Sequence, residues 1–184
     1  MIATGMDDNQ NPRGESLRDR QRAYIQEGLP GLPISELINC LSEAAFQLDD
    51  RTNPHGNIKP DTIIVDEDSV ILVDHLDELF SSNKETAISG TPIYMGPEVW
   101  RGTRLPHSDQ YALACTYAEL RTGHPPFIES GILELMRAHL ECKPDLTGCH
   151  DAERRVLERA LAKGPDKRYP SCVRFVEELR QAVA

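Results

Sequence analysis

The chain has 184 residues, of which 39% are hydrophobic and 27% charged, and a formal net charge of −10. That is long enough for one domain with a real core and too apolar for an intrinsically disordered chain, while the acidic balance argues against a nucleic-acid surface. No apolar run reaches membrane-spanning length, the N-terminus lacks a basic stretch followed by an apolar one, and the five scattered cysteines are odd in number. The expectation is a chain without signal peptide or membrane segment, with free thiols in a reducing cytoplasm.

In chain order, Asp7 to Glu15 is polar, holds Pro12 and Gly14, and reads as loop. Leu17 to Gln26 predicts a short helix opened by Ser16 and closed before Gly28. The Gly28–Pro33 stretch is a rigid turn. Ile34, Leu37, Ile38, Leu41, Ala44, Ala45 and Leu48 recur at helical spacing, so a long amphipathic helix is expected over Ile34 to Asp50. Two short strands, Ile63–Val65 and Val70–Val73, flank the acidic turn Asp66-Glu67-Asp68-Ser69, which is most simply a solvated hairpin tip. An irregular segment then runs from Asp74 to Pro97. Ser108 to Arg121 is apolar on nearly every face, the mark of a helix buried on all sides, and Gly123 with Pro125-Pro126 ends it. Three more helices are read over Ile132–Leu140, Ala152–Leu161 and Cys172–Val183.

Between the long helix and the first strand lies His55-Gly56-Asn57-Ile58-Lys59-Pro60-Asp61-Thr62. It resembles the catalytic loop of protein kinases, H-R-D-x-K-P-x-N. His55, Lys59 and Pro60 match. Gly56 stands at the Arg position, Asn57 at the catalytic Asp and Thr62 at the metal-binding Asn. Four further strings follow in the family's order. Asp74-His75-Leu76 looks like the D-F-G site with only its Asp kept. Gly90-Thr91-Pro92-Ile93-Tyr94-Met95-Gly96-Pro97-Glu98 looks like the end of an activation segment. Ser108-Asp109 opens, and Thr122 to Phe127 closes, a segment similar to the family's central helix. Lys163 to Tyr169 resembles the stretch whose Arg, here Arg168, pairs with the Glu of A-P-E, here Glu98. The Gly-Thr-Pro-x-Tyr string and Lys59 are similar to Ser/Thr kinases, particularly bacterial eukaryotic-like ones.

The resemblance implies a mainly α fold: the helical C-terminal lobe of a kinase over residues 16–184, with a small β-hairpin. The class is α+β if a small lobe is counted, and residues 1–15 form a hinge-like segment. It also implies chemistry. Phosphoryl transfer is mostly positioning and charge stabilisation, with ATP and Mg²⁺ held between two lobes. Neither a G-x-G-x-x-G nor a V-A-I-K string occurs in these residues. Asn57 is a poor base, and a missing general base costs about 10²–10⁴ in rate. Thr62 offers one neutral hydroxyl at the metal position. Asp74 is left as a metal ligand or as a strand-end cap, and Lys59 as a phosphate contact or a solvated side chain. His55 is expected to be structural, as are Glu98, Asp109 and Arg168. Gly56 removes the Arg that would read a phosphorylated segment carrying Ser81, Ser82, Thr86, Ser89 and Thr91. Cys142, Cys149, His150 and His139 match no closed zinc spacing and read as a connector. The expected role is a catalytically inactive signalling or scaffold module with protein partners or self-association. The alternative is a piece of an active kinase that needs a small lobe.

Overall fold

The computed structural model describes residues 14–29, 31–67, 69–73 and 90–184. Its elements, in order, are β1 (Glu15–Ser16), α1 (Leu17–Gln26), α2 (Ile34–Asp49), β2 (Ile63–Asp66), β3 (Ser69–Leu72), α3 (Pro97–Trp100), α4 (Pro106–Thr122), α5 (Ile132–Glu141), α6 (Asp151–Ala160) and α7 (Cys172–Val183), with 3₁₀ turns at Pro92–Tyr94 and Pro165–Lys167. The lobe is mainly helical, as expected. None of the described helices is long and apolar enough to cross a membrane.

The centre is α4. Every residue from Ser108 to Leu120 is buried, because α2, α6, α7 and the 92–94 turn all pack against it. Pro106 starts it at the first helical position, where a missing N–H costs nothing. That is two residues earlier than the apolar pattern indicated. Gly123, at φ 84°, ends it in the left-handed region that a side chain disfavours, and its N–H closes on Glu119 O at 2.8 Å. The stripe Leu37, Ile38, Leu41, Ala44, Ala45 and Leu48 of α2 turns into the core, and α7 lies across it with Phe175, Val176 and Leu179 buried. Asp49, at the end of α2, accepts from Cys172 N and Val173 N at 2.9 Å each and so caps α7.

The sheet contains the expected hairpin and extends it. Strand β2 pairs with β3 in the register Ile63↔Leu72 to Asp66↔Ser69, and a third strand, β1, pairs antiparallel on its other side through Glu15↔Val65 and Ser16↔Ile64. Two residues carry no readable strand period, and Pro12 and Gly14 beside them signal loop. Glu15, grouped by sequence with the N-terminal segment, therefore lies in the lobe's sheet. The outer edge of β3 is covered from α2: Glu43 accepts Val70 N at 2.9 Å and Gln47 donates to Val70 O at 2.7 Å. All five cysteines are unbonded.

Candidate functional site

The loop from His55 to Thr62 is hung from the first turn of α4. Asp109 accepts His55 N and Gly56 N, one on each carboxylate oxygen, at 2.7 Å. Burial raises the Asp109 carboxyl above its usual range, and the two N–H groups offset this only in part. His55 works as a second brace. Its Nε2 lies 3.1 Å from the O of Val73, the residue after β3, and its Nδ1 accepts Asn57 N at 3.3 Å. A neutral ring with the proton on Nε2 satisfies both contacts.

Asn57 is only 8% exposed. Its Oδ1 accepts the Thr91 hydroxyl at 3.0 Å, and the same hydroxyl accepts Lys59 Nζ at 3.0 Å. Thr91 thus joins the amide and the ammonium, with one oxygen serving as donor and acceptor. Thr62 is 3% exposed and turned inward. Its hydroxyl lies 2.9 Å from Asn57 O and 3.1 Å from Lys59 O, and it accepts Lys59 N at 3.1 Å. One hydroxyl proton and the accepted N–H are enough to commit that oxygen to the loop's own backbone. The structure therefore brings Asn57, Lys59, Thr62, His55 and Asp109 together. Asp74, one residue past Val73, lies outside the described residues, as do Ser81, Ser82, Thr86 and Ser89.

Glu98 and Arg168 meet as a bidentate pair below this site. Nη1 to Oε1 is 2.8 Å and Nη2 to Oε2 is 2.7 Å. Arg168 also donates to Ala162 O and His107 O, and its guanidinium lies 4.8 Å over the Tyr111 ring. Burial alone would raise the Glu98 carboxyl. The Arg168 hydrogen bonds and charge outweigh it and hold the group below the usual carboxylate range.

Beside the loop opens a cleft of about 500 Å³ whose lining includes Lys59, Asp61, Thr62, Thr91, Tyr94 and Glu119. Arg18, from the first turn of α1, enters it. It pairs with Glu119, lies 3.3 Å from Asp61 and donates to the Tyr94 hydroxyl at 2.9 Å, while Tyr94 donates to Glu119 at 2.6 Å. Sequence reasoning missed this cluster. Its members lie on four separate stretches of the chain, and no local spacing announces them.

His139, Cys142, Cys149 and His150 do not converge on a metal. Among the described residues no group of three or more His, Cys, Asp or Glu is placed to hold one. His139 is buried against Phe127, Tyr111 and Trp100, and Cys142 is exposed past the end of α5.

No protein-family model matches the chain. Among curated proteins it is 33% identical over 178 residues to the serine/threonine-protein kinase PknF of Mycobacterium tuberculosis, covering 89% of this chain and 37% of that protein. It is 30% identical over 141 residues to PknB of Mycolicibacterium smegmatis, covering 68% and 22%. Among solved structures it resembles the Mycobacterium tuberculosis PknI kinase domain, with a TM-score of 0.65 at 23% identity in one crystal structure and 0.62 at 26% in another. These alignments cover 95% and 92% of this chain, and 64% and 63% of the kinase domain. The chain belongs to the bacterial, eukaryotic-like Ser/Thr protein kinase family, and the part it represents is the C-terminal lobe. It spans less than two fifths of the length of the curated relatives it matches.

Proposed function

We propose that this lobe is a degenerate member of its family, a catalytically inactive signalling or scaffold module that works through protein contacts. The observation that carries the reading is the state of Asn57. An amide stands where the family places its proton acceptor, and its carbonyl oxygen already accepts from Thr91. An amide oxygen does not take the proton of a substrate hydroxyl at neutral pH, so the general-base contribution of about 10²–10⁴ is lost. Thr62 adds to the loss, because its hydroxyl is spent on Asn57 O and Lys59 N.

The fit to ATP and Mg²⁺ is poor on the described residues. The Lys59 ammonium reaches the cleft but is tied to Thr91, and the Thr62 oxygen faces inward. Asp74 remains as the one carboxylate at a metal position by resemblance. When bound, Mg²⁺ would neutralise phosphate charge.

A second reading is a segment of an active Ser/Thr kinase that phosphorylates proteins once a small lobe is present. It is favoured by the intact Asp109–loop anchoring and the Lys59–Thr91 contact, and by the share of the relatives' length that the chain spans.

One experiment separates them. Transfer from labelled ATP to a generic Ser/Thr substrate is measured for the natural chain and for Asn57→Asp with Thr62→Asn, each alone and with a small lobe fused upstream. Activity only in the repaired, fused protein is expected, since positioning dominates this reaction class. Turnover by the natural loop with a small lobe would establish the second reading. Calorimetry of the chain with millimolar Mg-ATP should show weak or no binding, and a micromolar Kd would contradict the first reading.

A further inference from the structure

Gly56 occupies the loop position at which the family pattern has arginine, and the space beside it is filled by an arginine from elsewhere. Its φ of +76° lies in the left-handed region. A Cβ built there would stand 2.6 Å from Cζ and 2.8 Å from Nε of Arg104, well inside any non-bonded contact. Arg104 comes from the exposed turn between α3 and α4. Its Nη2 is 4.0 Å from where a Cβ would stand on Gly90, and that Cβ would lie 2.9 Å from Gly56 O. Two glycines thus let the loop and the segment beginning at Gly90 approach backbone to backbone, and one guanidinium lies across the junction. Arg104 also acts on the loop's anchor. With Arg51 it draws the Asp109 carboxyl down against the effect of burial. The residue after Gly90 is Thr91, whose hydroxyl bonds Asn57 and Lys59.

We propose that Arg104 is the positioning residue of this loop: its side chain, supplied from the 101–105 turn, takes the space of a side chain at 56 and fastens the loop to the segment at Gly90, which sets Thr91 against Asn57 and Lys59. This goes beyond the functional reading above and holds whether or not the chain transfers phosphate. It makes Gly56 and Arg104 a matched pair. A side chain at 56 requires the guanidinium to leave, so writing the family's Arg back into position 56 does not by itself rebuild the family's loop.

The test is a double-mutant cycle with a spectroscopic readout on the full chain. Gly56→Ala is compared in the natural background and in Arg104→Ala, with Arg101→Ala as a control in the same exposed turn. Gly56→Ala should lower Tm in both backgrounds because of its φ, and by about 3 °C more when Arg104 is present. In ¹⁵N spectra, the amides of Gly90 and Thr91 and the side-chain amide of Asn57 should shift in Arg104→Ala and stay in place in Arg101→Ala. Arg104 is exposed, so its truncation leaves the core intact, and Arg104→Gln serves as a second variant read the same way. Additive Tm losses, or Asn57 and Thr91 signals that do not move when Arg104 is removed, would overturn the proposal.

Discussion

At position 57 an aspartate would accept the same hydrogen bond from Thr91 and would present a second oxygen where the amide now carries two N–H groups. One atom type thus separates a base from a donor, while Lys59, Thr91 and Asp109 keep their places. Glu98 and Arg168 show the opposite economy, in which a pair does nothing but hold. Both ends are buried, and the Arg168 guanidinium makes four hydrogen bonds, counting those to Ala162 O and His107 O. Removing one partner strands the other charge, at about 3–5 kcal/mol. Glu98→Ala and Arg168→Ala are each expected to lose that much by urea denaturation. The double variant should lose far less than the sum. Negligible shifts in both midpoints would mean that the pair is not buried in solution.

Elements are joined by few, specific polar contacts laid over apolar packing. The clearest is Asp49, which ends α2 and satisfies the first two N–H groups of α7, while Ser171 accepts Arg174 N at 3.1 Å. Asp49→Ala should cost about 1–2 kcal/mol, the scale of a lost helix cap, and Asp49→Asn less. The change should also speed amide exchange selectively in the first turn of α7. Uniform exchange along the helix would show that α7 is held by its apolar face alone. Between α4 and α6 the equivalent is Glu153, fully buried, which accepts the Tyr117 hydroxyl at 2.6 Å, Arg121 Nε at 2.9 Å and His150 N at 2.9 Å. Burial would raise this carboxyl, but those donors lower it overall.

Across the whole molecule, acid stability follows from these buried groups. His139 is fully buried, with Tyr111 OH at 2.9 Å from Nδ1, Phe127 and Trp100 against the ring, and the Lys163 ammonium on its backbone carbonyl. Burial first, and the Lys163 charge second, push its pKa from 6.5 down to about 3. The unfolded chain therefore takes up a proton that the folded chain refuses. Stability is full above pH 6.5 and falls as the pH drops towards 3, by on the order of 4–5 kcal/mol at the bottom of that window. Glu98 and Glu153 have lowered pKa values, so their stabilising share is lost only below the usual carboxylate range near 4.5. Between pH 6.5 and 4.5 the loss should belong mainly to the histidine. Urea midpoints at pH 7.5 and 5 should differ clearly for the natural chain and much less for His139→Gln. Equal slopes for both would place the imidazole in contact with water.

By itself the sequence determined the six longer helices, the family and the altered loop, but not the short α3. Their signals are local: apolar residues repeat at the helical period in α2 and α7, Gly123 with Pro125-Pro126 ends α4, and His55, Lys59 and Pro60 stand at fixed offsets. The Glu98–Arg168 pair was legible only through the family's order of motifs, since 70 residues separate its partners. Tertiary structure decided the rest. Strand β1 is two residues long and exists only because β2 offers it an edge. Thr62 stands at the position of a metal ligand by resemblance, yet the loop's turn points its hydroxyl at its own backbone. Arg18 meets Glu119 across 101 residues, and Arg104 fills the side-chain space of a glycine 48 positions earlier. Such contacts leave no period in the chain, because what selects them is the space and charge that remain once the helices have packed around α4.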